Sequence, residues 1–175
     1  MTEQMTDPIT GPATRVALVP GCLALLPEYA SLHDPVEELR AACRAAAAWL
    51  GADVRVIAGE QGTRVATSLL AEVGTAPVDS GAAYLVVGNG SARRGEKAPG
   101  HLDPRAAGFD DVLAEALARP DVEVLGGIDL GLADELLADV APIVRSAHLL
   151  QTVETVAVDY DDDPYGVRYW VARWA

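Results

Sequence analysis

Residues Tyr84 to Asp111 read YLVVGNGSARRGEKAPGHLDPRAAGFDD. The apolar run Tyr84-Leu85-Val86-Val87 enters a glycine turn at Gly88-Asn89-Gly90-Ser91, and a charged loop follows with Arg93, Arg94, Glu96 and Lys97. Pro99-Gly100-His101-Leu102 then leads into Asp103-Pro104, which has the signature of a helix start. A buried strand that runs into a glycine turn is where α/β proteins place ligand sites, because backbone N–H groups are left unpaired there. Lys97 is the only lysine of the chain and falls in this loop. The stretch therefore predicts an α/β fold with a candidate site at the end of one strand.

On the N-terminal side, Arg15–Val19 (RVALV) reads as a first buried strand that stops at Pro20-Gly21, and Cys22–Glu28 as an apolar loop lying on the sheet. Asp34-Pro35-Val36-Glu37 carries the residues of a capped helix start, with aspartate as cap, proline at the first helical position and glutamate completing a capping box. Val36, Leu39, Cys43, Ala46 and Leu50 then recur at helical spacing up to Gly51. Asp53–Ala58 alternates as a strand, Gly59–Gly62 turns, and Thr63–Val73 predicts a second helix with Val65, Leu69, Leu70 and Val73 inward. Ala83–Val87 is the third strand.

On the C-terminal side, Asp103-Pro104 opens a helix whose stripe is Phe109, Val112, Leu113, Ala116 and Leu117. Leu132–Val140 and Pro142–Gln151 predict two more helices. Val153–Tyr160 and Val167–Trp174 are β-rich and are joined by Asp161-Asp162-Asp163-Pro164-Tyr165-Gly166, a hairpin signature. The expected fold is a three-layer α/β/α domain over residues 15–175, with a mixed, mostly parallel sheet and a C-terminal β-hairpin. Residues 1–14, broken by Pro8, Gly11 and Pro12, read as a disordered leader.

With 175 residues, half of them hydrophobic, the chain is long enough for one sheet-and-helix core. The formal net charge of −13 repels phosphate backbones and argues against nucleic acid as a partner. Two cysteines, Cys22 and Cys43, are too few for a disulfide framework, and Cys43 falls on an apolar helix face. The N-terminus lacks the apolar core of a signal peptide and no run reaches the length of a membrane span, so the expected location is the cytoplasm, with no membrane partner.

Three blocks of the sequence resemble the class III extradiol ring-cleavage dioxygenases, in particular the subunit-B-like proteins of high-GC (actinobacterial) type. The first is Leu25-Leu26-Pro27-Glu28 with Glu38-Leu39-Arg40-Ala41-Ala42-Cys43. The second runs from Gly88-Asn89-Gly90-Ser91-Ala92-Arg93-Arg94 through Lys97–Ala107 to Phe109-Asp110, and the third is Asp163-Pro164-Tyr165-Gly166-Val167 with the strand after it. Residues 59–80 look shortened against the family's usual middle section. The resemblance implies a non-haem Fe(II) held by two histidines and a carboxylate, with open positions for a catecholate and dioxygen, and a further histidine as acid–base. The sequence departs from that pattern at each place. Val19-Pro20-Gly21-Cys22 has glycine where the first metal histidine belongs. Gly59-Glu60-Gln61-Gly62 has no histidine after the second strand, and Ser91-Ala92-Arg93 has arginine near the place of the acid–base histidine.

The leading expectation is therefore a degenerate, non-catalytic member of that superfamily, without metal or cofactor, binding a small anionic ligand or a partner at the Gly88–Lys97 loop. Asn89, Ser91, Arg93, Arg94, Lys97, His101 and Tyr165 are the candidate ligand-binding residues, Tyr165 because its block is part of the resemblance. The opposing reading has Arg93, Arg94 and Lys97 paired with Asp103, Asp110 or the acidic hairpin, pinning the loop. An alternative is an oxidoreductase with an atypical iron site drawn from His101, Glu60 or Asp163. A third is a structural homodimerisation module, which an exposed Trp170/Trp174 patch would favour. The run Gly90–Lys97 lacks the lysine-hydroxyl pair of a nucleotide phosphate loop, since Glu96 follows Gly95. His33, His101 and His148 have no short ligand spacing, and the aspartates at 159 and 161–163 lack the glycine and terminal glutamate of a calcium loop.

Overall fold

The computed structural model describes residues 13–29 and 32–175; the expected leader lies, up to Pro12, outside them. Five strands form one sheet: β1 (Arg15–Val19), β2 (Val54–Ile57), β3 (Ala83–Val87), β4 (Val156–Asp162) and β5 (Tyr169–Trp174), in the order β2-β3-β1-β5-β4. The three N-terminal strands pair in parallel, and β5 is antiparallel to both β1 and β4. Only β5 therefore opposes the common direction, which is the mixed, mostly parallel sheet with a closing hairpin that the sequence predicts.

Both faces of the sheet are covered. The first two helices, α1 (Glu37–Leu50) and α2 (Glu60–Glu72), pack over Ala17, Val19, Leu85, Val87 and Val171. On the opposite face, α3 (Arg105–Ala118), α4 (Val122–Gly126), α5 (Leu130–Glu135) and α6 (Ala141–Ser146) enclose Val16, Leu18, Val86, Trp170 and Trp174. Side chains alternate across each strand, so neighbours such as Leu18 and Val19 feed different cores. Trp170 and Trp174 are 1% and 2% exposed, so the aromatic patch that would favour a dimerisation module is interior. Trp174 Nε1 also donates to the carbonyl of Leu117 at 3.1 Å, tying the last strand to α3.

Strands β1 and β3 match their expected bounds, and several helix starts move. Asp34 does not cap α1. Val36 keeps a non-helical backbone, so the Asp34 side chain accepts from Val36 N in a local turn and salt-bridges Arg40 at 2.6 Å. Glu37 is then the first helical residue rather than the closing member of a capping box. Helix α2 starts at Glu60, three residues before its expected start, because Gly59 serves as N-cap and its carbonyl accepts both Thr63 N and Thr63 Oγ1. Asp103 behaves as expected: Pro104 has helical angles and Asp103 Oδ1 accepts from Arg105 N at 2.9 Å.

The expected helix over Leu132–Val140 is replaced by the short α5. Leu137 then turns to φ 56°, and Asp139 reaches the sheet as an isolated bridge to Asn89. Pro142–Gln151 divides into α6 and a 3-10 turn, Ala147–Thr152. The first hairpin strand begins at Val156 rather than Val153, because Glu154 N and Thr155 N both donate to the Ala175 carbonyl. Pro77 and Val78 cover the outer edge of β2, where Val78 N donates to the Val54 carbonyl. No helix among the described residues is long and apolar enough to cross a membrane.

Candidate functional site at the strand ends

The glycine turn after β3 is a packed junction. Gly88 N donates to Val19 O, Asn89 N to Asp139 O, Gly90 N to Arg168 O and Ala92 N to Leu136 O. Ser91 N and Ser91 Oγ both reach Asp110, at 2.8 Å to Oδ1 and 2.6 Å to Oδ2. The N–H groups expected to face an anion are thus bonded inside the protein. Asp110 lies on the buried side of α3 with no exposed surface, and its carboxylate also accepts from Arg94 Nη1 at 3.1 Å. A Cβ on Gly90 would stand 2.5 Å from Asp110 Oδ1 and 2.7 Å from Trp170. Only glycine admits the carboxylate this close to the turn.

Arg94 carries a second carboxylate: its Nε donates to Asp163 Oδ2 at 2.6 Å, while its backbone N donates to the Gly166 carbonyl. One guanidinium between Asp110 and Asp163 leaves this cluster net negative, which disfavours an added anion. Among the described residues Arg93 forms no salt bridge, although its charge acts on the Asp103 carboxylate, and its hydrogen bonds go to carbonyls. Nε donates to Gly100 O at 2.7 Å and Nη1 to Glu135 O at 2.9 Å, stapling the loop to the end of α5. Lys97 is exposed and forms no ion pair among the described residues.

His101 is exposed at φ 59°, with Nδ1 3.4 Å from the Glu96 carbonyl, which is too long for a firm hydrogen bond. Tyr165 is 65% exposed at φ 61°, beside the loop through the Arg94–Gly166 bond. The structure therefore joins Ser91 and Arg94 through Asp110 and ties Arg93 to the rim. Lys97, His101 and Tyr165 remain on the outer surface.

Asn89 belongs to a different place, the carboxyl ends of the parallel strands. Its Oδ1 lies 3.7 Å from where a Cβ on Gly21 would be, and Asp139 Oδ2 lies 3.9 Å from the same point. Neither oxygen accepts a hydrogen bond from a described residue, although Asn89 Nδ2 reaches its neighbour's carbonyl at 3.1 Å. Gln61 Nε2 closes the niche from α2 by donating to Gly21 O at 2.7 Å. Burial pushes the Asp139 carboxyl above the ordinary carboxylate range, with Arg145 nearby as a partial counterweight. Two acceptors converge here on a buried glycine, so the niche suits a group that donates hydrogen bonds.

The iron set that the resemblance implies does not fit these residues. Gly21 supplies no ligand atom, and no group of three or more His, Cys, Asp or Glu among the described residues is placed to hold a metal ion, which includes His101, Glu60 and Asp163. The pairing of Arg94 with Asp110 and with the acidic hairpin at Asp163 follows the opposing reading of the sequence, whereas Asp139 and Arg168 were not expected at the site. Asp110 carries a legible signal: it lies in phase with Ala106, Leu113 and Leu117 on the buried stripe of α3, where an acid demands a partner. Asp139 has none, because it acts from an irregular segment between two short helices. No protein-family model and no curated protein sequence matches the chain.

Proposed function

We propose that the protein is a non-catalytic, extradiol-dioxygenase-like binding protein that takes a small polar ligand at the ends of its parallel strands. The observation that supports this reading is the niche at Gly21. Where the implied chemistry would need an imidazole, a side-chain-free residue faces the Asn89 amide oxygen and the Asp139 carboxyl. Those acceptors select a ligand with hydroxyl or amine donors. The anion expected at the Gly88–Lys97 loop draws less support, since Arg94 already holds two carboxylates and Arg93 two carbonyls. Lys97 and His101 remain for it on the rim.

A thermal-shift survey with small hydroxy compounds, amines, phosphate and sulfate tests this reading. Hydroxy or amine compounds raise the melting temperature of the native chain, and Asn89→Leu removes the response without altering the unliganded melt. A response confined to anions and lost in Lys97→Ala would place the ligand on the loop rim instead.

A further inference from the structure

A concave surface lies away from the strand ends, along the outer side of α3. Phe109, Val112, Val124, Ile128 and Leu132 line an open groove of about 530 Å³ between α3 and the α4–α5 segment. A neighbouring concavity of about 400 Å³ continues it past Glu115, Ala116 and Asp121. Val112 and Val124 line both and form the ridge between them. These valines are 50% and 38% exposed, so the ridge is apolar surface held in water.

The charges along this surface are predominantly negative. Glu123 and Asp129 line the first concavity, and Glu115 and Asp121 the second. The one base in either lining, Arg119, is already paired with Glu115 at 3.1 Å. Asp121 and Asp129 point oxygens at Val124 N and Leu132 N as helix caps, while Glu123 has no partner within the described residues. Asp121, Glu123 and Asp129 form no salt bridge among the described residues, and an apolar ridge flanked by such carboxylates complements apolar anchors flanked by arginine or lysine. A second copy of this chain is a poor match, because at a net charge of −13 it would bring further carboxylates to an acidic rim.

We propose that the α3–α4 groove docks a basic amphipathic segment of a partner protein, its apolar side chains seated on either side of the Val112–Val124 ridge. The docking is independent of the strand-end niche, so Asn89→Leu leaves it intact.

The probe is a fluorescein-labelled amphipathic helical peptide of leucine and lysine, titrated into the full chain by anisotropy. Two control peptides accompany it, one with glutamate in place of lysine and one with the same composition but dispersed leucines. Val124→Asp blocks the ridge yet adds negative charge, so it separates docking from bulk electrostatic attraction. The native chain binds the leucine–lysine peptide, and Val124→Asp weakens it by about ten-fold or more, the loss of a buried apolar anchor. Glu123→Lys also weakens it, and both control peptides bind more weakly. Val112→Asp gives the same readout should Val124→Asp fail to melt cooperatively. Absence of binding, equal affinity for the dispersed peptide, or affinity unchanged or raised in the aspartate variants would overturn the proposal. Sedimentation showing a dimer that Val124→Asp dissociates would also overturn it, by giving the groove to a second copy.

Discussion

Asp110 is the residue on which the glycine loop depends. Its carboxylate receives the Ser91 amide, the Ser91 hydroxyl and the Arg94 guanidinium with no exposed surface of its own. Charge-assisted bonds inside a protein hold geometry strongly, and removing one partner leaves the others buried and unpaired. Asp110→Ala is therefore expected to destabilise the fold by about 3–5 kcal/mol, measured by urea denaturation. A loss below about 1 kcal/mol, the size of an exposed pair, would mean that the network is ornamental. Asp139 has the opposite electrostatics. Its folded carboxyl titrates above its ordinary value of 3.8 because burial disfavours the charge. In the pH window above that value the folded state binds the proton more tightly than the unfolded chain, so stability falls as pH rises through it. Asp139→Asn removes that penalty and keeps the backbone carbonyl that accepts from Asn89. It should melt higher than the native chain at neutral pH, with the gain shrinking toward pH 3. A constant difference across the range would assign the effect to packing rather than to charge.

At the scale of elements, the loop from Gly88 to His101 is held both by its own turns, such as Gly100 N to the Ala92 carbonyl, and by its neighbours. Arg93 links it to the end of α5, Arg94 to the β4–β5 connection, and the Gly90 and Arg168 backbones to β5, while Arg93 also closes the loop on its own Gly100. Arg93→Ala should lower the melting temperature by a few degrees, and phosphate should leave the melts of both proteins unmoved. A phosphate-dependent rise lost on Arg93→Ala would instead make the arginine an anion ligand. Helix bounds were legible in the sequence where cap and first turn coincide, as at Asp103-Pro104. They were not at Asp34, where the same residue types form a turn around Arg40, because Arg40 is placed by its long-range bonds to the Leu25 and Ala24 carbonyls. Helix α4 carried a readable signal in Asp121, which caps Val124 N ahead of the apolar pair Val122 and Leu125. The bridge between Asn89 and Asp139 had no local signal, since the two partners lie far apart in sequence.

For the whole molecule, hydrophobic patterning was enough to recover the architecture. Continuous apolar runs such as Val16–Val19 and Leu85–Val87 belong to strands covered on both faces, and the alternating, partly polar run of β4 belongs to the exposed hairpin edge. The same patterning is silent on which polar groups converge. Strand order brings Gly21, Gln61 and Asn89 to one end of the sheet from three separate connections, and an irregular segment adds Asp139. We propose that this strand-end site binds without doing metal-dependent ring chemistry, because Gly21, where the resemblance would place an imidazole, has no ligand atom. Protein purified without chelator should be analysed for iron, then reloaded with Fe(II) and followed in an oxygen electrode with catechols. The expected result is iron far below one equivalent per chain and no oxygen uptake above the free-metal rate. Stoichiometric iron, with ring-cleavage turnover that a chelator abolishes, would contradict it.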